Sequence, residues 1–272
     1  GGGRQEEVYR RSVCVQQGRD LGRRERSISL WFSSEVSVTV PEATSNALAM
    51  LISHTHRFAF VHVPKTAGSS VVIALGGHAD CANNFWANRW LAAIGIHVNH
   101  VAPWRYKRFR PHVAAAVLQA QLPTAVFNGL FKFAFVRNPW DLLVSSYHYL
   151  RSKPEHRRSR LVRSLPSFTD YVEYEISRGR LVQSALLCDR RGTLLMDFVG
   201  RYESLESDFG FICRRIGLEA TLPRVNAGSR GDYRGYYTPS LAGRVAEAFA
   251  ADIDRFGYDF DGGQSERQGQ AA

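Results

Sequence analysis

The sequence predicts an α/β fold of three layers, a central parallel sheet flanked on both faces by helices. Two observations predict it. Short apolar, aromatic and β-branched runs occur at 58–63, 131–137 and 195–201, the lengths and residue types of buried strands. Each run is followed by a helical pattern, at 68–76, 139–150 and 204–217. Strands alternating with helices imply parallel pairing, with the crossover helices covering the sheet. Ligands of such sheets bind beyond the carboxyl ends of the strands.

The first strand holds Phe58, Ala59, Phe60, Val61 and Val63, and His62 belongs to it as a residue buried beside whatever follows. Pro64 and Gly68 then break the pattern, and Lys65, Thr66, Ser69 and Ser70 decorate the loop PKTAGSS before a helix resumes at Val71. A strand, a Gly/Lys/Ser-rich loop and a helix together cradle phosphate: loop N–H groups and the positive helix end face the anion, and the lysine adds charge. The nucleoside-triphosphate loop needs two glycines bracketing four residues before Lys-Ser/Thr. Here the lysine comes first and Gly68 follows it by three, which argues against a triphosphate. The plain alternative is an ordinary βα loop that contains Lys and Ser.

Residues 77–128 form a variable region with Trp86, Trp90 and Trp104, and a helix is expected at 111–120. The second strand carries Phe131, Phe133, Phe135 and Val136, and Arg137 ends it. Asn138-Pro139 turns the chain, Pro139 suits a first helical turn, and Asp141 suits a helix N-terminus. Arg137 and Ser145, two turns into the helix, can converge on one anion, the arginine as a planar fork and the serine as one further donor. Equally, Arg137 can pair with Asp141 and leave Ser145 to solvent. A helix follows at 166–178, with Ser167 or Thr169 as its cap, then a strand at 195–201, a helix at 204–217 and a last helix at 239–255.

The two loops together resemble the sulfotransferases that use 3′-phosphoadenosine 5′-phosphosulfate (PAPS), in the branch that includes the Golgi-type and bacterial carbohydrate enzymes. That resemblance implies a P-loop-type version of the fold. It implies that Lys65, Thr66, Ala67, Gly68, Ser69 and Ser70 bind the 5′-phosphosulfate, and that Arg137 and Ser145, in VRNPWDLLVSSY, bind the 3′-phosphate. The motifs stand in the family's order, about 70 residues apart. Leu142 departs from the arginine that relatives carry, at a position of surface or packing rather than chemistry. The segment FVGRYESLESDF resembles the family's third motif and would set Tyr202 near the adenine. Arg230, between Gly228 and Gly231, is a candidate second ligand of the 3′-phosphate, or else a solvated loop arginine. The resemblance covers about residues 55–260.

The reaction implied moves an SO3 unit from phosphate to an acceptor hydroxyl, most naturally on a carbohydrate, and releases 3′-phosphoadenosine 5′-phosphate (PAP). By analogy with phosphoryl transfer, the protein aligns the reactants and neutralises charge on the leaving oxygens. Lys65 is the residue for that charge. A general base must take the hydroxyl proton, and histidine suits the task near neutral pH. By the resemblance His100, in IGIHVNHV, is the first choice and His97 the second. His148, on the helix past Ser145, is read as packing or surface. No metal is required. Cys14, Cys81, Cys188 and Cys213 are scattered without a CxxC or Cys/His cluster; Cys81 and Cys188 remain open to pairing in a secreted setting.

Residues 1–45 read as a poorly ordered basic arm, with a weak alternation at 29–40 that suits an edge strand. The sulfotransferase domain is expected over 46–262 and a disordered tail over 263–272. No run of 18 apolar residues and no signal-peptide pattern occurs. The expected compartment is the cytoplasm, or the Golgi lumen if an N-terminal anchor belongs to the protein. Net charge is +10, with one basic cluster at Arg105, Lys107, Arg108 and Arg110 and another at Arg151, Lys153, Arg157, Arg158, Arg160 and Arg163. Such surfaces concentrate an anionic acceptor. Two other classes compete: a nucleic-acid-binding protein using these clusters, which lacks any recognised motif, and a phosphotransferase of related fold, which lacks the required glycine spacing.

Overall fold

The computed structural model describes residues 50–79, 98–102, 105–107, 109, 112–223 and 231–262. The N-terminal arm, the 29–40 alternation, the C-terminal tail, His97, Arg230, Cys14, Cys81 and the three tryptophans of the variable region lie outside them.

A four-stranded sheet forms the centre, in the order β1 (Leu51–Ser53), β2 (Phe58–Val61), β5 (Phe131–Val136), β6 (Phe198–Arg201). β2, β5 and β6 are parallel, in the register Phe60↔Phe133 and Phe133↔Phe198. β1 runs antiparallel to β2, so the sheet is mixed rather than purely parallel. Three residues joined to β2 by a four-residue turn carry too little pattern for sequence to mark as a strand. A separate hairpin pairs β3 (Asn99–Ala102) with β4 (Arg105–Lys107).

Strand alternation sorts the core into two layers. Phe58, Phe60, Phe133 and Phe135 point to one face and pack with Val71 and Leu75 of α1 (Gly68–Leu75). Phe209 and Ile212 of α8 (Leu205–Ile216) complete that layer. Ala59, Val61, Ala134 and Val136 point to the other face. There they meet Leu118 of α2 (Ala115–Gln121), Phe127 of α3 (Thr124–Gly129) and Phe256 of α10 (Ala250–Phe256). A third apolar cluster joins α4 (Pro139–Ser152), α6 (Phe168–Arg178) and α9 (Pro239–Ala248) through Leu143, Tyr171 and Val245. Leu142 is buried, so of the two places that sequence left open to it, surface and packing, it takes the second. The short helices α5 (Ser159–Ser164) and α7 (Ser184–Leu187) flank the expected helix at 166–178 and were not marked by sequence.

Boundaries differ from expectation at two places. α2 begins at Ala115 rather than 111, because His112 has a left-handed φ of 60° and Ala114 is extended. The expected helix at 239–255 is two, divided at Phe249, whose φ of −112° and ψ of 19° leave the helical range while its ring is buried against the third cluster. α6 is capped by Ser167, whose hydroxyl accepts from Asp170 N–H, and ends at left-handed Gly179.

Gly200 on β6 is required by packing. A Cβ there would stand 2.5 Å from Cε1 of fully buried Phe135 and 3.2 Å from Asp208 Cβ. Gly200→Ala is expected to lower stability by about 1–3 kcal/mol through overpacking, measured by urea unfolding; an unchanged midpoint would refute the packing argument.

Candidate active site

The loop after β2 and the loop after β5 meet at the carboxyl ends of the two central parallel strands. Arg137 makes the junction. Its Nη1 donates to Lys65 O at 3.1 Å, across 72 residues of chain, and to Ser145 Oγ at 3.1 Å. Its Nε donates to Asp141 Oδ2 at 2.7 Å. Arg137 thus pairs with Asp141, as the plainer reading expects, but Ser145 is held by the same guanidinium rather than left to solvent. The Tyr202 ring lies under the guanidinium, 3.7 Å from its carbon, a cation–π contact.

The sequence builds this locally. Asn138 caps α4 by accepting from Trp140 N–H at 3.0 Å, and its Nδ2 donates to Asp259 O at 2.8 Å. Glu203, next to Tyr202, accepts from Asn138 N–H at 2.8 Å and so ties the third motif to the second. Gln183 grips the Arg137 backbone on both sides: Oε1 accepts from Arg137 N–H at 2.9 Å, and Nε2 donates to Arg137 O at 2.7 Å. Buried Asp252 in turn accepts from Gln183 N–H at 2.6 Å and Ser184 N–H at 2.8 Å, and burial raises its carboxyl pKa. Sequence reasoning missed Gln183 and Asp252. Neither sits in a motif, and each acts on Arg137 only through the folded chain.

The PKTAGSS loop is held in an uncommon shape. Lys65 and Ala67 both take left-handed backbone, φ 65° and 63°, a conformation that costs an L-residue about 1–2 kcal/mol and gathers at functional sites. Thr66 is fully buried and its hydroxyl donates inward to Val63 O at 2.9 Å, closing the loop. Ser70 N–H and Val71 N–H bond Ala67 O, while the Gly68 and Ser69 N–H groups start the helix and have no intrahelical carbonyl to meet. Lys65 Nζ stands 3.9 Å from the centre of the Tyr149 ring. Gly68 is obligatory: a Cβ would fall 1.9 Å from Nε2 of His62.

His62 is 5% exposed, stacks on Phe60 and meets His112 edge-on at 4.4 Å between ring centres. Burial first, and His112 second, lowers its pKa to about 3. It stays neutral in the folded protein, in the packing place that the strand pattern assigned to it. His148 also packs, with Nε2 2.7 Å from the Tyr236 hydroxyl.

A cleft of about 1320 Å³ opens over these groups, lined by Lys65, Gly68, Ser69, Ser70, Arg137, Ser145, Tyr149 and Tyr202. The predicted residues are thus brought together. His100 contributes its backbone to β3, opposite Tyr106; its side chain, like all of His97 and Arg230, is outside the described residues. The second basic cluster divides. Arg157 and Arg158 line the cleft beside Arg178 and Arg180, which sequence had not grouped with them; Arg151, Lys153, Arg160 and Arg163 do not line it. Arg158 and Arg178 are anchored by ion pairs to fully buried Glu175. The cleft lining carries the cations Lys65, Arg137, Arg157, Arg158, Arg178 and Arg180 against the carboxylates Glu203 and Glu206, an excess of positive charge that favours an anionic ligand. Among the described residues no group of three or more His, Cys, Asp or Glu side chains is placed to hold a metal, and Cys188 and Cys213 are free buried thiols.

A model of the family described as "Sulfotransferase family" matches residues 49–259, and the chain belongs to that family, whose members transfer sulfuryl groups. Among curated proteins, carbohydrate sulfotransferase 14 of Danio rerio is 25% identical over 235 residues, spanning 76% of this chain and 55% of that protein. An uncharacterized protein of Archaeoglobus fulgidus is 28% identical over 125 residues, 44% of this chain and 96% of that one. Among solved structures, mouse sulfotransferase SULT7A1 complexed with PAP overlays with a TM-score of 0.43 at 16% identity, covering 80% of this chain and 92% of that one. No helix among the described residues is long and apolar enough to cross a membrane.

The buried imidazole carries a pH prediction. His62 has a folded pKa of about 3 against 6.5 when unfolded, so the unfolded chain takes up the proton first. Its contribution to stability is whole above pH 6.5, falls as pH drops towards 3, and is fully lost below that. His112, also lowered by burial, adds loss of the same sign. Thermal melts of the wild type should therefore fall more steeply between pH 7 and 4 than those of His62→Phe; equal slopes would contradict the assignment.

Proposed function

We propose that this protein transfers a sulfuryl group from PAPS to a hydroxyl of a carbohydrate acceptor. The observation that supports the donor assignment is the Arg137 guanidinium bridging Lys65 O and Ser145 Oγ, which holds the PKTAGSS loop and α4 at one spacing. The donor, when bound, supplies the SO3 unit and leaves as PAP. Ser145 and Arg137 hold the 3′-phosphate, with Tyr202 as the aromatic wall beside it. Gly68 and Ser69 N–H groups and the Ser69 and Ser70 hydroxyls hold the 5′ end. Lys65 leaves the Tyr149 face to neutralise charge on the departing oxygen, where charge develops in the transition state.

The carbohydrate acceptor is supported by the similarity to carbohydrate sulfotransferase 14. The arginines on the cleft wall favour an acidic one. Arg157 and Arg180 are exposed and line the same cleft as Lys65, where their charge concentrates a polyanion.

Calorimetric titration with PAP and with adenosine 5′-phosphate tests the donor site. PAP is expected to bind at least tenfold more tightly. Ser145→Ala should weaken PAP about tenfold, one hydrogen bond to a charged group being worth about 1.5 kcal/mol, and leave adenosine 5′-phosphate unchanged. Equal affinity for the two nucleotides would remove the 3′-phosphate site and with it the PAPS reading.

A further inference from the structure

We infer that His112 is the general base that takes the proton from the acceptor hydroxyl. The inference rests on the sulfuryl-transfer reading and assigns a role that reading leaves open. No motif singled out His112; the structure sets it against the PKTAGSS loop. It lines the cleft with Lys65 and Gly68, and its ring meets that of His62, whose Nε2 in turn lies against Gly68. The loop meant to hold the phosphosulfate is thus one ring away.

Its geometry decides its chemistry. His112 Nδ1 is 2.9 Å from His62 O. A carbonyl only accepts, so Nδ1 carries the hydrogen and the lone pair of the neutral ring is on Nε2. One nitrogen is fixed as donor by the backbone and the other is left as a base, the relation that an orienting partner imposes on a catalytic histidine. Burial holds the ring neutral, the form able to accept a proton. The backbone is also specialised: φ is 60°, left-handed, which delays the start of α2 and turns the ring back onto β2.

The step balances. The acceptor oxygen forms a bond to sulfur, and the bond from sulfur to the 5′-phosphate oxygen breaks. The electron pair stays on that oxygen, next to Lys65, and the acceptor proton moves to His112 Nε2.

The left-handed backbone supplies a discriminating variant. Asparagine tolerates that conformation, and its side-chain N–H can replace Nδ1–H towards His62 O, but it has no basic nitrogen. A histidine that only holds the turn is rescued by His112→Asn; a base is not. The assay follows PAP release from PAPS with desulfated chondroitin as acceptor and with water alone, beside PAP calorimetry for the wild type, His112→Asn and His112→Ala. The expected result is wild-type PAP affinity in His112→Asn with transfer reduced about 10²–10⁴-fold, and no better activity than His112→Ala. Transfer by His112→Asn within threefold of the wild type would overturn the assignment and return the role to His100 or His97. Absence of PAP binding in the wild type instead defeats the sulfotransferase reading itself, a separate outcome.

Discussion

Arg137 is a permanently charged group held 4% exposed at the end of the middle parallel strand. Removing such a charge from water costs several kcal/mol unless its donors are met. Here Asp141, Lys65 O and Ser145 meet them, and Tyr202 covers one face. Those partners come from the first loop, the second loop and helix, and the third motif. Satisfying one guanidinium therefore draws three distant segments to one point. The same demand extends outwards through the backbone of Arg137 to Gln183, and from Gln183 to buried Asp252 on α10. The last helix of the domain thus bears on Arg137 without touching it.

The first loop is placed by packing rather than charge. β2 ends in His62, whose ring occupies the space that any side chain at position 68 would need. Glycine lets the N-terminus of α1 come down against that ring, and the left-handed turns at Lys65 and Ala67 follow from so short a route between strand and helix. Buried Thr66 closes the turn from within. Strain in the loop is balanced by a core that is fully buried at Phe60 and Val61 on either side.

How much of this was legible depends on whether a feature is local. The three parallel strands were readable because their apolar runs are continuous and each is followed by a periodic helix. The positions of Lys65, Gly68, Arg137 and Ser145 were readable because loop chemistry is written in adjacent residues. β1 was not, being three residues long. The break at Phe249 was not, since neither Gly nor Pro marks it and the cause is a ring drawn into the third cluster. Gln183, Asp252 and Glu175 were invisible for a related reason. A buried polar residue declares itself by its partner, and these partners lie up to 69 residues away. Of the second basic cluster Arg157 and Arg158, in the turn that precedes α5, line the cleft, beside Arg178 and Arg180 at the end of α6.

The two histidines show why adjacency in space matters more than type. Both His62 and His112 are lowered by burial, yet their ring nitrogens are not equivalent. His62 is wedged between Phe60 and Gly68, and its Nδ1 meets no partner among the described residues. It works as an aromatic spacer that sets the depth of the loop. His112 leans on the carbonyl of that same residue through Nδ1, which leaves the lone pair on Nε2, and it lines the cleft. A change in the depth of the loop would therefore shift His112 along with the PKTAGSS loop, because one residue, His62, supplies both the ring that sets the loop's depth and the carbonyl that orients His112.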